Sequence, residues 1–139
     1  MGKRIERGGI IPFYVNSGGE IKMMFMKPSD ERYGGPEFQI AKGRMEPGEN
    51  PLETTLREAN EELGLRESNI KWIRKVGMFL HSHHIYIAEV NTRSYKEFDE
   101  PMYETGATKW MTEEEFISDG RKLHVPIVKS CVKIFRKHG

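Results

Sequence analysis

The stretch from Asn50 to Gly64 constrains this chain more than any other. Asn50 is a good N-cap, Pro51 suits the first helical position, and Glu53 completes a capping-box pattern, while Gly64 supplies a left-handed stop. The spacing predicts a helix over 51–63. At about 100° per residue, Leu52, Leu56, Ala59 and Leu63 gather on one side, the expected buried side. Glu58, Glu61 and Glu62 gather on nearly the opposite side. Carboxylates at i, i+3 and i+4 repel one another and weaken an isolated helix. Such a face alone is an ordinary solvated surface. Here Arg57 stands four residues before Glu61, and a glycine-containing loop, GRMEPGE, leads straight into the helix. That crowding is best tolerated when a hard divalent cation discharges it. Oxygen donors without Cys or His point to magnesium, with manganese as its substitute.

Around this helix the apolar periodicity alternates between strand and helix. Residues 9–15 and 21–27 read as strands about a turn at Asn16–Gly19, and Pro12 places the first at a sheet edge or a bulge. Further strands are expected at Phe38–Lys42, Trp72–Phe79, His84–Val90 and Ala107–Met111, with helices near Thr112–Ile117 and after Pro126. On the last helix Val128, Cys131, Val132 and Phe135 form the buried stripe, and Lys129, Lys133, Arg136 and Lys137 a solvated face. The polar segment Asn91–Thr105 is long enough to act as a mobile loop over a site. Interleaved strands and helices give an α/β fold, a mixed β-sheet flanked by helices on both faces. With 139 residues, one domain spanning 1–139 is expected. A net charge of +1 provides no uniform field for nucleic acid or an anionic membrane. No apolar run spans a bilayer, MGKRIERGG has no signal-peptide core behind it, and the single Cys131 cannot close an internal disulfide. A cytoplasmic protein is expected.

The segment Gly43–Leu65, GRMEPGENPLETTLREANEELGL, resembles the Nudix box, G-x(5)-E-x(7)-R-E-U-x-E-E-x-G-U with U aliphatic. Gly43, Glu49, Arg57, Glu58, Glu61, Glu62 and Gly64 meet its fixed positions, and Ala59 and Leu65 its aliphatic ones. The resemblance implies an α/β/α sandwich and a hydrolase for a nucleoside diphosphate linked to another group. Glu58, Glu61 and Glu62 would then be the metal-binding and water-activating residues, and the backbone carbonyl of Lys42 a further metal ligand. Arg57 would orient the glutamates, while Gly43, Glu49 and Gly64 shape the motif. Glu104 is the candidate extra acid from outside the box, since its spacing from Trp110 is similar to that in diadenosine tetraphosphate hydrolases. An ordinary surface glutamate in the run with Glu97, Asp99 and Glu100 is the alternative.

The same subgroup is suggested by FQIAKGRMEPGE and by IYIAEV, although Ala41 stands where the subgroup commonly has proline. Dinucleoside polyphosphates such as diadenosine tetraphosphate are therefore the leading substrates. The alternatives are (d)NTPs, nucleotide sugars or RNA 5′ ends, and a nucleotide-binding module that does not cut. Diphosphoinositol polyphosphate hydrolases share parts of the pattern, but their substrates call for a denser basic pocket than the sequence reveals. Lys42, Arg44 and Glu46, with His81 or His83, are the candidate substrate contacts, His81 and His83 being read onto one strand face. Tyr33, Tyr86 and Tyr103 are possible stacking platforms for a base. The partner expected is a small nucleotide, with no membrane, no nucleic acid beyond an RNA 5′ end, and either a monomer or a homodimer. Clustered acids should raise one another's pKa, so activity is expected to favour neutral to alkaline pH.

Overall fold

In the computed structural model, which describes residues 5–138, strand β1 (Arg7–Val15) is buried continuously from Gly8 to Phe13. Continuous burial is what a central strand covered on both faces requires. β1 pairs antiparallel with β2 (Ile21–Pro28) and β3 (Ala41–Arg44), and in parallel with β5 (His83–Val90). β4 (Ile70–Phe79) adds to β5 and β6 (Thr105–Met111) to β2, giving the order β4-β5-β1-β2-β6 with β3 beside β1. Pro12 therefore lies in a central strand and not at an edge. It is tolerated because β3 pairs with residues 7–10 and β2 with residues 13–15, so the proline falls in the gap between two partners.

Side chains alternate across β1 and split the core into two layers. Ile11 and Phe13 pack with Phe25, Ile87 and the helix α3 (Val125–His138), whose Val128, Cys131, Val132 and Phe135 are all buried. Ile10 packs with Met24, Ala41 and Ala88 beneath α1 (Pro51–Leu63). Lys129, Lys133, Arg136 and Lys137 are exposed. The short α2 (Glu113–Asp119), capped by Thr112, buries Phe116 against Phe25, their ring centroids 4.1 Å apart. The result is a mixed sheet between helices, an α/β/α sandwich. Among the described residues no helix is long and apolar enough to cross a membrane.

Three local expectations need correction. The strand expected at Phe38–Lys42 begins only at Ala41, because Phe38 and Gln39 make isolated bridges to Gly120 and Met26. α1 is rolled by nearly one residue step (about 100°), so that Thr55, Glu58, Ala59 and Leu63 face the sheet, while Leu52 is exposed and Leu56 half-buried. Gly8 of β1 allows the roll. A Cβ there would stand 2.6 Å from Thr55 Oγ1, so the helix approaches β1 on its small residues, with the Thr55 hydroxyl donating to the Pro51 carbonyl. Lastly, the segment after β5 is strapped down rather than poised as a free flap. Asp99 N–H donates to the Gly64 carbonyl, Met102 N–H to that of Glu61, and the Thr105 hydroxyl to that of Glu62, at 2.7–2.9 Å.

Candidate active site

The Asn50–Glu53 capping box forms in full, and Gly64 closes α1 at φ 73°. Gly64 does a second job. A Cβ there would overlap the Asp99 carbonyl, so the absence of a side chain lets the 99–105 strap lie against the helix end. The loop before the helix is held by Glu49, whose carboxylate accepts from Arg57 Nε at 2.7 Å, from the Thr54 hydroxyl and from the Glu46 N–H, both at 2.8 Å. Arg57 hydrogen bonds foremost, then the Glu46 N–H, hold Glu49 down to about 2. Arg57 also donates to the Arg44 carbonyl at 2.9 Å, to Glu58 Oε1 at 2.8 Å and to Glu61 Oε2 at 3.1 Å. One guanidinium thus ties loop, β3 and two helix acids together. Its own pKa is pushed up, chiefly by Glu49.

Glu58 is buried beneath α1, where it occupies the space that a Cβ on Gly43 would need. Glu62 Oε1 accepts the Lys42 backbone N–H at 3.0 Å. Burial first and the neighbouring Glu61 second raise Glu58 to about 7. Burial and then Glu58 raise Glu62 to about 8, with the Lys42 N–H opposing. Glu104 adds to the upward push on both, which places it in the same electrostatic neighbourhood. In an antiparallel ladder a residue directs its N–H and C=O to the same side. The Lys42 carbonyl therefore emerges on the strand edge that faces Glu62.

Among the described residues no three Asp, Glu, His or Cys side chains stand close enough to form a ready-made metal cage. Arg57 draws Glu58 and Glu61 to itself and the Lys42 N–H holds Glu62. The donor chemistry nevertheless suits a hard divalent cation. Acidic oxygens are gathered where burial and mutual charge already disfavour their ionised forms, with a carbonyl edge beside them.

A cleft of about 840 Å³ opens at this point, lined by Lys42, Gly43, Arg44, Glu58, Glu62 and Glu104 among others. Tyr33 and Tyr103 stand on its rim, 71% and 83% exposed, with ring faces free to stack. Other expected contacts lie elsewhere. Tyr86 is buried and has no free face. His81 does not share a strand face with His83. It sits exposed in the β4–β5 turn at φ 65°, while His83 begins β5 opposite Arg7. Glu46 points to solvent from the loop, 3.7 Å from Arg57, and does not line the cleft. Trp110 is structural, donating to the Arg93 carbonyl at 3.1 Å and packing edge-on to Tyr14. The cleft also contains Arg7 and Arg121, which the sequence reading passed over. Neither carries a motif: Arg7 reaches the site through strand register, and Arg121 through a loop 78 residues after Gly43.

Arg57→Lys keeps the charge but loses the fork that spans Glu49, Glu58, Glu61 and the Arg44 carbonyl. Turnover is expected to fall by roughly 10- to 100-fold and Tm by several degrees. Steady-state kinetics and a thermal melt check both.

A family model described as the NUDIX domain matches residues 9–131. A comparison with curated proteins finds no sequence match. Among solved structures, an Ap4A hydrolase from C. elegans in a binary complex superposes with a TM-score of 0.76 at 14% identity, over 96% of this chain and 99% of the other. The NUDIX domain of Shewanella oneidensis NrtR, complexed with ADP ribose, gives 0.76 at 10% identity, over 97% and 90%. An ADP-ribose pyrophosphatase from Streptococcus suis gives 0.68 at 12% identity, over 96% and 93%. At such identities these structures bear on the fold, whereas the family match covers most of the chain and includes the whole glutamate-bearing box. The chain belongs to the NUDIX family and has its fold.

Proposed function

We propose that this protein, acting as one domain over 1–139 in the cytoplasm, hydrolyses a pyrophosphate bond in a nucleoside diphosphate linked to another group, with magnesium or manganese as cofactor. The observation that carries the reading is the buried face of α1. Glu58 and Glu62, raised to about 7 and about 8, stand against Gly43 and Lys42 at the floor of the cleft. Glu58, Glu61, Glu62 and the Lys42 carbonyl would hold the metal, with Glu104 as an added ligand or base. When bound, the metal supplies Lewis-acid stabilisation of the developing phosphate charge and acidifies the attacking water. The chain's own residues do the rest. Lys42 and Arg44 bind phosphate oxygens, Arg57 orients Glu58 and Glu61, and an ionised glutamate accepts the water proton. Tyr33 and Tyr103 supply stacking surfaces for a base.

Dinucleoside polyphosphates are the leading substrates, supported by FQIAKGRMEPGE and the two rim tyrosines. ADP-ribose is the second reading, favoured by the two neighbours whose names carry that compound. Product identity separates them. Diadenosine tetraphosphate should give AMP plus ATP, and ADP-ribose should give AMP plus ribose 5-phosphate. No product from a nucleotide panel with magnesium would leave only a binding module.

Glu104→Ala tests the added acid. Metal affinity is expected to weaken by about 3- to 10-fold, with turnover reduced by a similar factor. Unchanged metal titration and unchanged rate would remove Glu104 from the site.

A further inference from the structure

The cleft has two electrostatic halves, and β3 divides them. Along this strand Ala41 and Gly43 face α1 and its glutamates, while Ile40 lies on the opposite core face. Alternation therefore sends the Lys42 side chain to the side away from the glutamates. There it meets Arg7 and Arg121. Arg7 is held in register between Arg44 of β3 and His83 of β5. Arg121 is pinned at its backbone, donating 2.8 Å to the Phe38 carbonyl, and its guanidinium touches Gln39 Oε1 at 3.3 Å. All three cations line the cleft and are half-buried. None forms an ion pair among the described residues. Asp30, the lining acid on the loop side, is already engaged by Arg32 at 2.6 Å.

The neighbouring imidazoles do not relieve this charge. His124 is buried, and its Nδ1 accepts the Ile40 N–H at 3.1 Å. His83 and His124 are both pushed down, by burial first and then by Lys42 and the arginines, so they stand neutral at pH 7. Glu62 and Glu58 offset part of the repulsion at Lys42, but burial and the two arginines outweigh them, so three like charges half-withdrawn from water beside two neutral rings are costly to hold without a further anion. We infer that Arg7, Lys42 and Arg121 form an anion wall that takes phosphate groups of the substrate lying beyond the bond that is cut. The word substrate rests on the hydrolase reading above, whereas the wall itself does not. A two-phosphate nucleotide spends both phosphates at the glutamate side. The wall therefore selects substrates with three or more phosphates, strung in a chain or crowded on a ring. It also supplies the denser basic pocket that the sequence did not reveal.

The direct test is calorimetric titration of inorganic tripolyphosphate into the intact protein with EDTA present, which needs neither metal nor turnover. Wild type is expected to bind, R7Q and R121Q to bind at least tenfold more weakly, R121K within threefold of wild type, and E62Q no more weakly than wild type. The Tm of R7Q and R121Q should be unchanged or raised, because a repulsive cation is removed. Absence of binding to wild type, or equal binding by R7Q and R121Q, would overturn the wall even if hydrolysis is real. If wild type binds but cleaves nothing, the hydrolase reading fails and the wall stands. For the active enzyme, kcat/KM of R121Q on a dinucleoside tetraphosphate, an inositol pyrophosphate and ADP-ribose identifies the ligand. A tenfold or greater loss confined to the tetraphosphate assigns the wall to a nucleotide chain, and one confined to the inositol compound assigns it to a phosphorylated ring. Equal loss on all three overturns it.

Discussion

Glu62→Gln is expected to lower turnover by roughly 10²-fold or more while leaving the fold intact. The amide is nearly isosteric with the carboxylate, and its oxygen can still accept the Lys42 N–H that Glu62 holds at 3.0 Å. What disappears is one negative charge from the buried face of α1. Pyrophosphate cleavage builds charge on non-bridging oxygens, and in the proposed reaction this face would hold the cation that meets it. The stability effect should have the opposite sign. Burial, Glu58 and Glu104 all disfavour ionised Glu62, so its pKa stands at about 8. Above that pH the wild-type chain carries an unfavourable charge that the glutamine variant lacks. In metal-free buffer the variant should therefore melt no lower than wild type at pH 7 and higher at pH 9. Glu61→Gln is expected to lose turnover to a similar degree. Near wild-type rates at saturating magnesium from either variant would remove the glutamates from the chemistry.

Most of the glutamate half of this cleft was legible because local rules govern it. The Asn50 cap, the Gly64 stop and the spacing of Glu58, Glu61 and Glu62 all lie within one helix, where position in sequence is position in space. The face that the helix buries was less legible. Leu52 and Leu56 dominate the apolar count, yet the helix seats itself on Thr55 and Ala59, because Gly8 on a distant strand leaves room for close approach. The same roll changes the electrostatics. Burial, more than mutual repulsion, is the first cause of the raised pKa of Glu58 and Glu62. Pro12 misled for a related reason, since nothing local reveals that β1 exchanges one partner for another at that residue. The anion wall was invisible for the strongest version of that reason. Arg7, Lys42 and Arg121 share no spacing, and only the sheet register and the turn after α2 bring them to one cleft.

Chelation of divalent metal is expected to reduce turnover to background, about 10³-fold or more below the magnesium-saturated rate, and to alter stability with a definite pH signature. Glu58 and Glu62 titrate in the fold at about 7 and about 8, against an ordinary value of 4.5. Their protonated forms favour the folded state. That contribution is complete below pH 4.5 and is lost as pH rises through 7 and 8. Glu49 runs the other way. Held at about 2 by Arg57, it contributes above 4.5, and the contribution is lost as pH falls toward 2. The metal-free protein should accordingly be most stable in weakly acidic buffer and weaken toward both extremes. Magnesium requires the ionised carboxylates, so it competes with the same protons. Its stabilising effect should be small at pH 5–6 and grow through pH 8–9, reaching about 5–10 °C in Tm when the metal is at roughly 100 times its Kd. Melts from pH 4 to 9, with magnesium and with EDTA, provide the measurement. A magnesium-induced shift that is flat with pH, or largest in acid, would show that the cation binds somewhere other than the buried glutamates. Turnover that survives chelation would show that it is not needed at all.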